Sequence, residues 1–251
     1  MSTPGADPVA EGRDEGRTEQ SALGLFGSAV KEIVVVVAMA LALSFVVKTW
    51  LLQAFFIPSG SMEDTLLVGD RVVVSKLTPG PIDLQRGDVV VFKDPGGWLD
   101  ALPPVERTGV AGAVHEGLVF VGLLPAESED HLIKRVIGLP GDHVVCCDKE
   151  RRLTVNDVPI GETYLKPGDL PSSLDFDVTV PAGHVWVMGD HRSDSEDSRF
   201  HDPSRDGSDG AVPIDAVTGR AVAVVWPLSR ATWLSDHADT FAGIPAREPE
   251  S

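Results

Sequence analysis

The chain is poor in cysteine and in positive charge. Two cysteines occur in 251 residues, and 21 Lys and Arg face 38 Asp and Glu, giving a formal net charge of −17. Such a balance cannot build the basic stripe that displaces phosphate counterions, which excludes a nucleic-acid partner. The two cysteines are neighbours, Cys146 and Cys147, so they supply no spaced disulfide framework. Neighbours in sequence rarely reach disulfide geometry, and the pair is expected as two inert thiols on a strand rather than as a redox or metal site. Uninterrupted apolar sequence is also scarce. Only Ile33 to Val47 runs 15 residues without a charge, although the overall apolar content of 43% excludes wholesale disorder.

The first 32 residues are rich in Gly, Ser, Thr, Ala and charge, and are expected to form a disordered tail. The apolar run that follows resumes after Lys48 and Thr49 as Trp50-Leu51-Leu52. Counted from 33 to 52 it reaches the roughly 20 residues that a bilayer core needs, with Lys48 able to snorkel and Trp50 suited to the interface. A buried core helix and the apolar region of a cleavable secretory signal are the competing readings. The long acidic tail is unlike the short basic start of such a signal, which favours an uncleaved anchor with the tail inside and the body outside.

Past the anchor, short valine-rich runs are each introduced by a Gly-Asp pair: Gly69-Asp70 before Arg71 to Val74, Gly87-Asp88 before Val89 to Phe92, and Gly141-Asp142 before His143 to Val145. Glycine supplies positive φ and aspartate bonds its own backbone, so each pair reads as a turn feeding a strand. Further strands are expected at 132–137, 153–158, 176–180, 185–188 and 221–226. Helical periodicity is weak throughout. The fold class is therefore mainly β: an N-terminal transmembrane helix, then an antiparallel β-barrel or folded sheet over 53–228. Residues 94–131 interrupt this rhythm with Gly and Pro breakers and read as a loop-rich insertion, and 229–251 reads as a C-terminal tail.

Three blocks carry the chemistry. The first is Ile57-Pro58-Ser59-Gly60-Ser61-Met62-Glu63-Asp64-Thr65-Leu66, the second Leu132-Ile133-Lys134-Arg135-Val136-Ile137-Gly138, and the third runs from Gly189-Asp190-His191-Arg192 through Ser195 to Asp197-Ser198-Arg199. A serine hydroxyl needs a base within hydrogen-bonding reach. An ordinary lysine, with pKa near 10.4, is neutral in only about one molecule in 2,500 at pH 7, so Lys134 serves as that base only if burial strips its charge. On a strand it shares its face with Leu132 and Val136 while Ile133 and Arg135 face the other way. By spacing alone, a buried base and a solvent-facing gatekeeper lysine stand level. His191, beside Asp190, is a rival base in a Ser-His-Asp arrangement. The acids from Asp190 to Asp202 also invite a calcium site, but they lack the alternating pattern with a terminal bidentate glutamate and have Arg192 and Arg199 as partners, so no metal is expected.

In this order after a single apolar anchor, the blocks resemble the type I signal peptidases, membrane-bound serine-lysine peptidases that remove signal peptides from exported proteins. The resemblance implies Ser61 as nucleophile, Lys134 as general base, Ser59 with the Ser61 amide as oxyanion hole, and Ser195 orienting the lysine. It makes Asp197 and Arg199 a structural ion pair, and draws substrate pockets from Ile57, Pro58, Met62, Leu66, Leu132 and Ile133. It implies cleavage after a small-x-small junction of preproteins at the lipid bilayer, with no cofactor. Two positions depart from the family: Asp64 stands where proline is usual and His191 where asparagine is usual. The alternatives are an anchored serine protease using His191, and a non-catalytic anchored β-domain that binds extracytoplasmic partners.

Overall fold

The computed structural model describes residues 15–99, 109, 112 and 130–247. Most of the expected insertion at 94–131 and the first 14 residues of the expected tail lie outside them. The chain divides into two units, Met1–Phe45 and Val46–Ser251.

Helix α1 runs Glu15–Val46, so helix begins well inside the stretch expected to be a disordered tail. Among the described residues no helix is long and apolar enough to cross a membrane. A π-helical turn, Val47–Leu51, follows, and Leu52–Phe56 is already strand β1. The expected 33–52 anchor thus ends in a π-helical turn, and its last residue, Leu52, is strand. Leu52 pairs with Ser75 and Phe56 with Arg71, so at Leu52 a ladder partner on β2 (Arg71–Ser75) satisfies backbone groups that the apolar sequence alone assigned to a helix.

The second unit is antiparallel throughout. Strands β3 (Val89–Lys93), β4 (His131–Gly138), β5 (His143–Cys146), β6 (Leu153–Val155), β7 (Val158–Pro159), β8 (Phe176–Thr179), β9 (His184–Met188), β10 (Val212–Pro213), β11 (Val217–Trp226) and β12 (Thr232–Trp233) complete it. They form one sheet in the order β1-β2-β11-β3-β4-β9-β10, with β12 on β11, and a second in the order β7-β6-β5-β8. Of the two architectures expected, the folded sheet is present, and the described strands close no barrel. The single strand expected over 153–158 is a tight hairpin, because Asn156 and Asp157 both take positive φ (52° and 66°), the backbone of a two-residue turn.

The three Gly-Asp turns have one construction. Gly69, Gly87 and Gly141 have φ of 96°, 93° and 84°. The aspartate that follows accepts a backbone N–H three residues upstream: Leu67 to Asp70 at 2.9 Å, Gln85 to Asp88 at 2.9 Å, Leu139 to Asp142 at 2.7 Å. Each carboxylate also receives an arginine from far along the chain, Arg230, Arg220 and Arg86 respectively. At Asp88 burial still raises the carboxyl above its ordinary range, opposed by the Gln85 N–H and by Arg220.

The core consists of aliphatic clusters on the sheet faces. One joins Phe55, Ile57, Met62, Leu66, Val72 and Ile133; a second joins Val90, Phe92, Val136, Val185 and Val187; a third lies around Trp186, Ile137 and Phe176. The C-terminal stretch is not a loose tail over its described length. Phe241 and Ile244 are buried in the third cluster, Thr232–Trp233 is a strand, and Arg86 and Asn156 hydrogen-bond the Pro245 carbonyl. A Cβ on Gly87 would lie 1.8 Å from the Asp236 carbonyl oxygen of this stretch, at a φ of 93°. Gly87→Ala is therefore expected to destabilise the fold by more than about 2 kcal/mol, read as a lowered denaturant midpoint.

Cys146 and Cys147 are joined to each other by a disulfide, which corrects the expectation of two free thiols. Cys146 ends β5 and is buried, while Cys147 packs against the same cluster from outside, so each reaches the other without a distant partner.

Candidate active site

The turn that carries Ser61 follows β1 and is pinned to the core. Met62 and Leu66, one helical turn apart, are both fully buried, and the Leu66 N–H donates to the Met62 carbonyl at 2.7 Å. The Glu63 N–H donates to the Gly60 carbonyl at 2.9 Å, and Ile57 and Asp70 pair across the base of the turn. Asp64 takes φ of 85°, a backbone that the proline usual in the family cannot adopt.

Lys134 sits in the middle of β4, opposite Val90 of β3, and is 4% exposed. Its Nζ lies 2.7 Å from Ser61 Oγ. The two groups are 73 residues apart in sequence, and the β3–β4 pairing together with the anchored turn brings them into contact. Burial pushes the Lys134 amine down to about 8, partly opposed by the negative charge of Asp197 and reinforced by Arg199. Ser59 Oγ is 3.4 Å from Ser61 Oγ and exposed, so both hydroxyls and the Ser61 amide are grouped at one point.

The third block folds against this pair. Asp197 and Arg199 form an ion pair with both side chains wholly buried, Arg199 Nε to Asp197 Oδ1 at 2.8 Å and Nη2 to Oδ2 at 2.8 Å. Asp197 also accepts the Gly189 N–H at 2.9 Å and the Ser195 hydroxyl at 2.8 Å. These donors hold its carboxyl below the ordinary range in spite of burial, which acts the other way. Ser195 Oγ therefore gives its proton to Asp197, which leaves only its lone pairs for any further partner. Gly189 is wedged in: a Cβ there would lie 2.3 Å from Ser195 Oγ and 2.4 Å from the Ser61 carbonyl oxygen.

On the opposite face of β4, Arg135 makes a two-point ion pair with Asp190 at 2.8 and 2.6 Å, both side chains fully buried, and lies 4.3 Å over the Tyr164 ring. Asp190 also accepts the Thr65 hydroxyl at 2.5 Å. One carboxylate thus ties the Ser61 turn, the Lys134 strand and the third block together.

His191 lies on this loop, but its nitrogens face elsewhere: Nδ1 is 3.0 Å from the Gly60 carbonyl and Nε2 is 3.1 Å from Lys166 Nζ. The expected pocket residues separate. Ile57, Met62 and Leu66 are buried with Ile133 in one cluster, whereas Leu132 packs on the other side of β4 with Val90 and Phe92, and Pro58 is exposed. Sequence reasoning passed over Lys166 and Glu63, paired at 2.6 Å beside His191, because nothing local marks Lys166 as belonging to the site. The described acids include no group of three or more His, Cys, Asp or Glu placed to hold a metal ion.

A hydroxyl at hydrogen-bonding distance from a buried, partly neutralised amine, on a mainly β scaffold, is the arrangement of a serine peptidase. Residues 30–226 match the family model described as signal peptidase, peptidase S26. The chain is 38% identical over 228 residues to the probable signal peptidase I of Mycobacterium leprae, covering 81% of this chain and 78% of that one. It is also 38% identical over 221 residues to the signal peptidase I of Mycobacterium tuberculosis, covering 81% and 74%. A crystal structure of a signal peptidase I from Enterococcus faecalis aligns with a TM-score of 0.34 and 26% identity, over 55% of this chain and 97% of that one. The chain belongs to the signal peptidase family, peptidase S26, and is a serine peptidase.

Proposed function

We propose that this protein is a membrane-anchored signal peptidase I that cuts signal peptides from exported preproteins with a Ser61–Lys134 dyad, after a small-x-small junction. The observation that carries this reading is the 2.7 Å contact between Ser61 Oγ and the buried Lys134 Nζ. Ser61 attacks the scissile carbonyl as Lys134 takes its proton. The oxyanion is held by the Ser61 N–H and the Ser59 hydroxyl, and Lys134 then returns the proton to the leaving amine. Water hydrolyses the acyl-enzyme on Ser61, with Lys134 acting as base again. Asp197, held by Arg199, Ser195 and Gly189, sets the charge around the amine. Side-chain pockets on the Ile133 and Pro58 side of the turn would exclude large residues, while the substrate backbone pairs as an added strand.

Anchoring by the apolar stretch 33–52 is part of the same reading, with the N-terminal residues in the cytoplasm, one pass, and the β unit outside; it rests on the sequence, since no described helix is by itself long and apolar enough to cross a membrane. From Ile33 to Leu43 the side chains are aliphatic or Met and all are exposed, as expected of a surface whose solvent is hydrocarbon. The sheet carries its own apolar surface: Phe56 and Trp226 flank Arg71 across three strands, and Trp233 and Leu228 are exposed nearby in the chain at 81% and 75%. Tryptophans in that position suit a membrane interface. Enzyme and preprotein held on one membrane meet at raised effective concentration.

The test is cleavage of a preprotein by the full chain in vesicles. Ser61→Ala and Lys134→Ala are each expected to reduce kcat/KM by roughly 10⁴-fold or more. Full cleavage by Lys134→Ala, together with its loss in His191→Ala, would replace this reading with the histidine-based protease. Unchanged function in Ser61→Ala would leave a binding domain.

A further inference from the structure

We propose that His191, seated against Lys166 and Glu63, is a positioning residue that aims the oxyanion-binding amide of Ser61 as a neutral imidazole carrying its proton on Nδ1. The inference rests on the reading above that the Ser61 N–H stabilises the oxyanion.

The hydrogen-bond partners fix the tautomer from both sides. Nδ1 is 3.0 Å from the Gly60 carbonyl oxygen, which can only accept, so Nδ1 must carry the hydrogen. Nε2 is 3.1 Å from Lys166 Nζ, an ammonium that can only donate, so Nε2 must offer its lone pair. Both contacts demand the same form of the ring. Lys166 is itself held by Glu63 Oε2 at 2.6 Å, and this contact pulls the Glu63 carboxyl below its ordinary range. Glu63 also belongs to the nucleophile turn, donating its N–H to the same Gly60 oxygen at 2.9 Å. The Gly60 carbonyl thus has both lone pairs engaged, one from within its own turn and one from the third block.

The consequence follows from the planarity of the peptide unit. The Gly60 C=O and the Ser61 N–H are opposite ends of one rigid peptide plane, so fixing the oxygen fixes the direction of the hydrogen. His191 grips the next peptide as well, since its own backbone N–H donates to the Ser61 carbonyl at 3.1 Å. One residue therefore holds the carbonyls on both sides of the nucleophile, the first by its side chain and the second by its main chain. Oxyanion donors work by being aimed before charge develops, and losing the aim of one such donor is felt mainly in kcat. Asparagine, usual in the family here, carries an amide nitrogen close to where Nδ1 stands and can give the same hydrogen bond. Histidine adds a second contact, to Lys166, that the shorter side chain lacks the length to reproduce.

The experiment uses the full chain in vesicles with one preprotein substrate and a peptide aldehyde that forms a hemiacetal on a serine hydroxyl. His191→Leu is expected to lower kcat about 10- to 100-fold with KM within about threefold, and to weaken aldehyde binding in parallel. His191→Asn is expected to restore kcat to within about threefold of the parent. Lys166→Met is expected to lower kcat about three- to tenfold in the parent and to have no effect in the H191N background. Should His191→Leu fail to fold, the Lys166→Met comparison between the two backgrounds remains decisive. Equal kcat for His191→Leu and the parent, or an equal effect of Lys166→Met in both backgrounds, overturns the inference while leaving the dyad intact. If His191→Asn is as inactive as His191→Leu and Lys134→Ala still cleaves, the dyad reading itself has failed.

Discussion

Replacing Lys134 with methionine should abolish cleavage and, at neutral pH, make the protein more stable. Methionine nearly matches the lysine stem in length and volume but brings no charge into a site that is 4% exposed. Burial lowers the amine from an ordinary value near 10.5 to about 8. The unfolded chain therefore holds this proton more tightly than the folded one, and that difference corresponds to about 3 kcal/mol against folding. The sign fixes the pH window. Above pH 10.5 the amine is neutral in both states and the penalty vanishes. It grows as pH falls toward about 8 and is present in full below that. The Lys134→Met protein should accordingly gain about 2–3 kcal/mol over the parent at pH 7 and almost nothing at pH 10.5, compared by denaturant unfolding at the two values. Its kcat/KM should fall by roughly 10⁴-fold or more. In the parent, kcat/KM should rise about tenfold per pH step up to about 8 and level off above it, as the amine loses its proton. A variant that keeps cleaving, or one that is less stable than the parent at pH 7, is incompatible with a desolvated base.

Asp197→Asn should act in the opposite direction on stability while moving the same titration. The Asp197 and Arg199 side chains are both fully buried, and removing the carboxylate charge strands the guanidinium without compensation. Breaking such a pair from one side costs about 3–5 kcal/mol. Asparagine can also accept only part of the set that now converges on Asp197 from Gly189, Ser195 and Arg199. Asp197 is at the same time the main group opposing desolvation at Lys134, while Arg199 reinforces it. Its neutralisation should therefore lower the lysine further and shift the rising limb of the pH–rate profile below 8, even as the unfolding midpoint drops. Loss of stability without a shift in the limb would mean that Asp197 supports the fold and does not set the charge at the amine.

The acid dependence of folding follows from the same carboxylate. Its folded-state value is held below the ordinary one, so the stability it contributes is present above its unfolded value and is lost as pH falls through the folded one.

The local devices were legible because they are local. Gly69-Asp70, Gly87-Asp88 and Gly141-Asp142 announce a turn through two adjacent residues, and the valine runs after them lie within β2, β3 and the start of β5. Failures came where a distant partner decided. Leu52 is apolar enough to close the expected 33–52 anchor, yet it opens a strand that pairs with Arg71 to Ser75. The stretch after Ser229 reads as polar tail, yet Phe241 and Ile244 find a core, and their neighbours press against Gly87. The cysteines are the exception: Cys146 and Cys147 have no distant partner, and they bond to each other.

What the sequence settled by itself was the kind of groups present and the pattern of turns and strands: a serine on a Gly-containing turn, a lysine in an apolar strand, and an acidic loop with its own arginines. Those properties depend on neighbours within a few residues, where propensity and alternation act. Only the tertiary structure decided that Ser61 and Lys134 touch, that Lys134 is dry enough to lose charge near pH 8, and that His191 turns its imidazole to the Gly60 carbonyl and Lys166. Desolvation and hydrogen-bond direction are set by everything packed around a group, and the chain brings those surroundings from strands and loops tens of residues away.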